Sequence, residues 1–244
     1  MAGAETVPGG AAPAGKGGGD LPRRVLSALV MLAVAAAALV AGGMVLDAFI
    51  AGVALVAFAE FVQLVRLATP SWPLRVVAVL AGVVYFGAAA AILIGAGKFL
   101  LVMVIGITVF TDTGAFFAGR TIGGPKIAPR ISPSKTWAGL AGGMVASAAW
   151  VFVWVFAIDA QQLWPRFDVG LNLSVKNTVG GIALGAFMAV VAQAGDFAES
   201  WLKRRAGVKD SSRMIPGHGG VFDRIDGLVP VVLVAGAIAA LMAP

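Results

Sequence analysis

Long apolar segments separated by short polar stretches dominate this chain. The apolar runs are about 20 residues long, enough to cross a bilayer core of about 30 Å as helices. We predict membrane spans at 25–42, 44–65, 75–96, 99–118, 137–157, 178–202 and 221–242. The first two abut at Gly42-Gly43, where the pattern does not fix their boundary. The pattern therefore predicts an all-α, polytopic integral membrane protein with about seven transmembrane helices.

The composition supports this class and excludes several types of site. Of 244 residues, 59% are hydrophobic and 12% are charged, whereas a soluble domain has about 25% charged residues. The chain has no cysteine and one histidine, which excludes disulfides and does not suffice for a structural zinc site. Residues 1–22 are rich in Gly, Ala and Pro, so we expect a disordered tail. Residues 23–97 would form the N-terminal transmembrane helices.

The basic residues predict how the helices are oriented. With a cytoplasmic N-terminus, seven crossings place 66–75, 119–136 and 203–220 on the inside. Fifteen of the 18 Lys and Arg residues then lie inside, in the tail, these loops or the adjoining helix ends, and the exceptions are Lys98, Arg166 and Lys176. This asymmetry follows the positive-inside rule. The net charge of +6 therefore requires no nucleic-acid partner, and contact with anionic lipid is the simplest alternative role for the basic loops.

Acidic residues are concentrated in the cytoplasmic halves of the later spans. Asp196 and Glu199 form one i,i+3 pair, and Asp223 and Asp226 form another, so each pair shares a helix face. The basic loop joins the two helices, which predicts a similar membrane depth for both pairs. Carboxylates without Cys or His partners favour a hard cation such as Mg²⁺. Nearby Lys, Arg and Gly residues would suit a polyphosphate bridged by that metal.

The same acids allow two other interpretations. Pairs such as Asp196–Arg224 and Glu199–Lys203 could simply neutralise each other. A transporter or channel is a second alternative, because intramembrane acids also build ion paths. The acids cluster toward one face, however, so they trace no path across the membrane. A further acid, Glu60, lies alone in the inner half of the second span.

A second polar motif runs from Asp112 to Gly139 and reads DTGAFFAGRTIGGPKIAPRISPSKTWAG. Glycines and prolines interrupt the helix in its middle. Ser132, Lys135 and Thr136 then precede the span at 137–157, and such side chains at a helix N-terminus can bind an anion. Alternatively, Ser134 is a plain N-cap and Lys135 a snorkelling flank.

The segment from Ser200 to Asp226 resembles the signature of the phosphatidate cytidylyltransferases, S-x-x-K-R-x(4)-K-D-x(5)-P-G-H-G-G-x-x-D-R-x-D. The matching positions are Ser200, Lys203, Arg204, Lys209, Asp210, Pro216, Gly217, His218, Gly219, Gly220, Asp223, Arg224 and Asp226. The blocks at 195–200, 112–115 and 132–136 are similar to the family's G-D-x-x-E-S and its two other conserved blocks. Ala138 departs from the pattern, because the family usually has an acid after K-T-W.

The resemblance implies transfer of CMP from CTP to phosphatidate, giving CDP-diacylglycerol and pyrophosphate in phospholipid biosynthesis. It implies a catalytic region over 98–244, in the inner cell membrane with its site facing the cytoplasm. The expected partners are CTP, phosphatidate and the bilayer, and no nucleic acid is expected. Whether the protein forms a homodimer stays open. The expected cofactor is Mg²⁺, with a second cation left open. A membrane enzyme that uses CTP on another lipid phosphate or alcohol is an alternative, but the D-G-x-x-A-R motif of the CDP-alcohol phosphotransferases is absent.

The resemblance also suggests roles for individual residues. The metal ligands would be Asp196 and Asp223 first, then Asp226 and Asp112. The catalytic group would be Asp223, Asp196, Lys209 and His218. Substrate phosphates would contact Lys203, Arg204, Arg213, Gly219, Gly220 and Arg224 on one side and Ser132, Lys135 and Thr136 on the other. His218 would bind a phosphate or donate a proton, or would only orient Asp223 or cap the helix.

Overall fold

The computed structural model describes residues 20–159 and 178–242, which are mainly helical. The helices are α1 (Asp20–Ala41), α2 (Gly43–Ala68), α3 (Trp72–Thr121), α4 (Trp137–Asp159), α5 (Thr178–Arg205), α6 (Phe222–Ile225) and α7 (Leu228–Met242). The protein is an all-α polytopic membrane protein, as the hydropathy pattern predicts. Residues 1–19 of the expected disordered tail lie outside the described residues, but its end, 20–22, is already part of α1. Arg166 and Lys176 also lie outside the described residues.

Helices α1 to α5 are long and apolar enough to cross a membrane. The 50 residues of α3 would extend about 75 Å as one helix, but Gly97 interrupts it with φ 76° and ψ −176°. Glycine adopts this conformation without a steric penalty. The two parts of α3 match the predicted spans at 75–96 and 99–118. With the shorter α7, the described residues provide seven apolar helical segments.

The last predicted span, 221–242, is wrong in its first part. The short helix α6 ends at Ile225, and Asp226 and Gly227 separate it from α7. The apolar helix that follows is therefore only 15 residues long, or about 22 Å. The carboxylates of Asp223 and Asp226 line a polar cleft. A continuous lipid-facing helix would not place them there, so the chain breaks here.

A small hairpin lies between α3 and α4, and the apolar pattern did not predict it. Strand β1 (Lys126–Ala128) pairs antiparallel with β2 (Ser132–Thr136). Gly123 and Gly124, both with positive φ, turn the chain out of α3 toward β1. Because β2 ends directly before α4, the hairpin fixes the side chains at the start of that helix.

The main core joins α2 to α7 through buried apolar side chains, among them Phe86, Val104, Met188 and Val231. Phe222 of α6 belongs to this core, with its ring centroid 5.3 Å from that of Phe86. The first helix packs more loosely, through a separate small cluster around Ala38 and Leu101.

Polar connections join separate segments at both ends of the helix bundle. At one end, Lys98 Nζ donates to Val40 O (3.4 Å), which joins the α1–α2 turn to the break in α3. At the other end, near the start of α1, Ser27 Oγ donates to Pro216 O (2.9 Å). Arg204 Nε donates to Ile131 O (3.3 Å). The segments at 122–136 and 206–221 therefore lie at the end where α1 begins, as the orientation argument predicts.

Candidate active site

A polar cleft of about 620 Å³ lies among α3, β2, α4, α5 and α6 at the end of the protein where α1 begins. Its charged lining comprises Asp112, Arg120, Lys135, Asp196, Glu199, Lys203, Asp223 and Asp226. These are five carboxylates and three cations, so the cleft carries excess negative charge when all are ionised. Such a cleft attracts cations, and it suits a polyanion only when further positive charge accompanies it.

Glycines allow α5 to pack closely against the segment that joins α6 to α7. A Cβ at Gly195 would overlap the carbonyl oxygen of Asp226 and crowd Pro230. A Cβ at Gly227 would lie 2.9 Å from Asp196 Oδ1. The absence of side chains at both glycines therefore brings the Asp196 and Asp226 carboxylates together, as the motif spacing predicts.

Lys135 joins the two polar motifs of the sequence. Its ammonium forms an ion pair with Asp196 across the polar cleft. Lys135 is thus not a snorkelling flank. Its ammonium contacts Asp196, a member of one of the acidic pairs. Of the alternative ion pairs considered from sequence, Asp196–Arg224 is not formed: Asp196 pairs with Lys135, and Arg224 Nη2 donates to His218 O (2.7 Å).

Thr136 caps α4. Its Oγ1 accepts a hydrogen bond from Gly139 N (3.0 Å), so this residue, and not Ser134, is the N-cap. Thr136 and Ser134 both line the polar cleft, whereas Ser132 is buried in β2 away from it.

Lys203 bridges two carboxylates. Its Nζ lies 2.7 Å from Asp223 Oδ1 and also pairs with Glu199, one helical turn earlier. The predicted Glu199–Lys203 pair is therefore present. It does not stand alone, because the same ammonium connects α5 to α6.

Asp223 is held on both oxygens. Its Oδ2 accepts from Ser211 N (2.9 Å), Ser211 Oγ (3.0 Å) and Gly220 N (2.7 Å). Burial raises the pKa of Asp223. Hydrogen bonds outweigh this effect and lower the pKa to about 2. They come from the side chains of Glu199 and Lys203 and from the backbone N–H groups of Gly220 and Ser211. Asp223 is therefore an ionised carboxylate in a fixed orientation.

Asp226 lies in the turn after α6, and its pKa is shifted in the opposite direction from that of Asp223. Burial, followed by the nearby Asp196 carboxylate, raises the pKa of Asp226 to about 7. Its Oδ1 accepts from Gly227 N (3.0 Å). Within 20–159 and 178–242, neither Asp226 nor Asp112 forms an ion pair. A bound cation would stabilise the ionised form of both residues.

The donor chemistry of the polar cleft fits Mg²⁺. All candidate ligands are carboxylate oxygens, which Mg²⁺ prefers. In the described part of the chain, no three such side chains form a ready-made cluster around one ion. Mg²⁺ usually takes only one or two carboxylates and completes its shell with waters and substrate phosphates. The ligand assignments Asp112, Asp196, Asp223 and Asp226 therefore stay predictions.

Several predicted site residues lie outside the polar cleft: Ser132, Arg204, Lys209, His218, Arg213, Gly219, Gly220 and Arg224. His218 Nδ1 lies 2.9 Å from Ser27 Oγ, so the ring faces α1. Gly219 has φ 81°, and a Cβ there would lie 2.5 Å from Asp223 Oδ2. The glycines thus shape the loop around Asp223, and the substrate contacts assigned to this group stay predictions.

Sequence reasoning assigned no site role to two charged residues that the structure places in or beside the polar cleft. Arg120 lines the cleft with Phe116, and its guanidinium lies 5.9 Å from the Phe116 ring centroid. Asp112, Phe116 and Arg120 are spaced at i, i+4 and i+8, which puts them on one helix face. This spacing could have indicated from the sequence that Arg120 lies near Asp112. Glu60 is buried beneath the loop that leads into α6, the helix of Asp223, and a lone acid in an apolar span was its signal.

Comparison with known proteins assigns the class. Residues 75–242 match the model of the Cytidylyltransferase family. The match covers more than half of the chain, so this protein belongs to that family. The membership predicted from the Ser200–Asp226 signature is confirmed.

Curated relatives give a more specific similarity. The chain is 43% identical over 129 residues to a phosphatidate cytidylyltransferase of Brucella suis. It is 39% identical over 136 residues to that of Haemophilus influenzae and 37% identical over 137 residues to that of Rickettsia conorii. These segments cover 53%, 56% and 56% of this chain, and 42%, 44% and 56% of the respective relatives. The match thus spans about half the length of each of these relatives.

Proposed function

We propose that this protein is a phosphatidate cytidylyltransferase, which transfers CMP from CTP to phosphatidate and yields CDP-diacylglycerol and pyrophosphate. The observation that carries this proposal is the ion pair between Lys135 and Asp196. It joins two family-like motifs across one polar cleft that also contains Asp223 and Lys203. The named activity of the similar relatives supports the same reaction.

The reaction requires the protein to align two anions. A phosphate oxygen of phosphatidate attacks the α-phosphorus of CTP. The bond from that phosphorus to the oxygen bridging the β-phosphate breaks, and pyrophosphate leaves with the bonding electrons. Because phosphatidate is already an anionic nucleophile, no covalent enzyme intermediate is required. Catalysis then consists of in-line positioning and of offsetting charge repulsion.

Cationic side chains of the polar cleft would contact the phosphates. Lys135 and Arg120 lie on the α3–α4 side, and Lys203 lies on α5 opposite them. Among the described residues, Lys135 pairs with one carboxylate, that of Asp196, which a substrate phosphate can replace. Lys203 is held by two carboxylates and would keep its position when substrate binds.

The carboxylates would hold Mg²⁺, with Asp196 and Asp223 as the first choices and Asp112 and Asp226 next. When bound, Mg²⁺ would neutralise charge on the triphosphate and on the departing pyrophosphate. The excess of acids over bases in the polar cleft supports this assignment.

An apolar cavity of about 450 Å³ on the other side of α6 supports a lipid substrate. Its lining comes from α1, α2, α3, the loop before α6, α6 itself and α7, and it is almost entirely apolar. Asp223 and Asp226 line the polar cleft, whereas Arg224 and Ile225 line the apolar cavity. A phosphate headgroup at the cleft with acyl chains in the cavity would use both compartments, and Arg224 would then lie near the headgroup.

We place the site on the cytoplasmic face of the inner membrane. The basic segments 122–136 and 203–220 lie at the same end as the polar cleft, and basic loops favour the cytoplasm. The nucleotide would then enter from the cytoplasm and the lipid from the bilayer. The proposal does not require a homodimer.

The direct test is pyrophosphate release by the purified full-length protein with CTP, Mg²⁺ and phosphatidate vesicles. We expect release that depends on all three components. Asp223→Asn should reduce the rate by at least about a hundredfold, because it removes a carboxylate charge from the reacting site. An inactive parent protein would refute the function, and a fully active variant would refute the role of Asp223.

A further inference from the structure

Glu60 is a buried carboxylate in the second half of α2, with 4% of its surface exposed. Four donors converge on it, three from the loop that precedes α6 and one, Phe222 N, from the first residue of α6. Oε1 accepts from Ser212 Oγ (2.6 Å) and Val221 N (3.1 Å). Oε2 accepts from Ser211 Oγ (3.0 Å) and Phe222 N (2.7 Å). A carboxylate so fully engaged anchors the loop to α2.

Glu60 caps α6 from a different helix. The first amides of any helix lack partners within it, and α6 has only four residues to stabilise itself. Glu60 accepts the Val221 and Phe222 amides, while the Phe222 ring packs 6.1 Å from that of the adjacent Phe61. Both contacts tie the position of α6 to α2.

One hydroxyl links Glu60 to the site. Ser211 Oγ lies 3.0 Å from Glu60 Oε2 and 3.0 Å from Asp223 Oδ2. A serine hydroxyl has one proton to donate, so the two carboxylates share it. The space between them is full, since a Cβ at Gly220 would overlap Ser211 Oγ and lie 2.5 Å from Glu60 Oε2. A shift of Glu60 would therefore be passed to Asp223.

We propose that Glu60 is a positioning residue, which holds α6 and Ser211 so that the Asp223 carboxylate points into the polar cleft. The proposal rests on the proposed function, in which Asp223 contacts the metal and phosphates. Glu60 lies outside residues 75–242, the part matched by the family model. The N-terminal helices thereby contribute directly to the geometry of the site.

Glutamine cannot substitute for Glu60. Each carboxylate oxygen accepts one backbone N–H, from Val221 or from Phe222. In the Glu60→Gln variant, either orientation of the new side-chain amide would place its NH₂ group against one of these donors. The substitution is therefore nearly isosteric and still disrupts the cap.

The matched control is Asp47→Asn, the same change of carboxylate to amide on the same helix. For both variants we would measure the thermal unfolding midpoint, kcat, the KM for CTP and the Mg²⁺ concentration that gives the half-maximal rate. We expect Glu60→Gln to lower kcat about tenfold to a hundredfold, as for a slightly displaced catalytic group. The half-maximal Mg²⁺ concentration should rise several-fold, with the KM for CTP changed less. Parent-like values for Glu60→Gln would overturn the proposal, as would an equal loss in Asp47→Asn.

Ser211→Ala tests the connection itself. Because Ser211 and Glu60 act on the same carboxylate, the double variant should lose less activity than the product of the two single losses. Fully multiplicative losses would show that Glu60 does not act through Ser211. If Glu60→Gln does not fold, Ser212→Ala removes a single bond to Oε1 and should shift the Mg²⁺ requirement in the same direction. An unchanged requirement there would contradict the proposal.

Hydrogen exchange separates this proposal from the proposed function. In Glu60→Gln, the Val221 and Phe222 amides should exchange about tenfold faster or more, because local opening costs less. Asp47→Asn should leave them unchanged. If the parent protein shows no CTP-dependent activity, the function fails, and this measurement still decides the placement of α6. Unchanged exchange in Glu60→Gln would refute it.

Discussion

Lys135 and Asp196 form an ion pair although 61 positions separate them in the sequence. Lys135 is fixed by the hairpin before α4, and Asp196 lies near the end of α5. Both residues line the polar cleft, and Lys203 and Asp223, which also line it, form another ion pair. Two lysines thus neutralise carboxylates of two motifs, and under the proposed function a substrate phosphate would compete with Asp196 for the Lys135 ammonium.

Lys135→Met should reduce kcat/KM for CTP by about tenfold to a hundredfold, the usual cost of a lost hydrogen bond to a charged group. Steady-state pyrophosphate release measures it. Lys126→Met is the control, because Lys126 lies exposed on the neighbouring strand and does not line the polar cleft. Equal losses in both variants would mean that Lys135 acts only through the general charge of this surface.

Removal of divalent cations should abolish activity reversibly. Five carboxylates face three cations in the polar cleft, so a triphosphate would meet net repulsion without added positive charge. Pyrophosphate release should stop in excess EDTA and return when Mg²⁺ is added. Undiminished turnover in EDTA would exclude the metal assignment of Asp196 and Asp223.

Lys203→Met should destabilise the protein strongly, by about 3–5 kcal/mol, since it leaves two mostly buried carboxylates without their cation. Thermal unfolding in a fixed detergent measures this loss. Adding Glu199→Gln to Lys203→Met should recover part of the stability, because one unpaired charge is removed, but not the activity. If the double variant unfolds at the same temperature as Lys203→Met, the unpaired Glu199 carboxylate is not the cause of the lost stability.

Gly195→Ala should cost about 1–3 kcal/mol of stability and lower activity, because its Cβ would overlap the Asp226 carbonyl. Thermal unfolding and pyrophosphate release together measure both effects. Gly52→Ala is the matched control in another helix, where a Cβ meets nothing within 4 Å. Similar behaviour of the two variants would show that α5 can move away from Asp226 at little cost.

The sequence predicted the features that depend on hydropathy and on local spacing. The spans follow from apolar length, and Gly97 breaks α3 between two of them. The i,i+3 spacing placed Asp196 with Glu199, and the basic loop placed this pair near Asp223 and Asp226. All four residues line one cleft.

Other features depend on contacts that no local pattern encodes. The break between α6 and α7 is one such feature, and the cap that Glu60, on a distant helix, provides at the start of α6 is another. His218 was assigned to the site from its motif, yet its ring faces Ser27 of α1. Such partners are set by tertiary packing, so spacing within the loop could not reveal them.

The short helix α6 also has a kinetic consequence. Its four residues lie between the polar cleft and the apolar cavity. Under the proposed function, the headgroup of a membrane lipid would meet the nucleotide at the polar cleft while its acyl chains stay in the apolar cavity. Turnover would then follow the surface density of the lipid substrate in the membrane, whereas the nucleotide would act through its bulk concentration. Dilution with inert lipid would slow the enzyme at constant total phosphatidate.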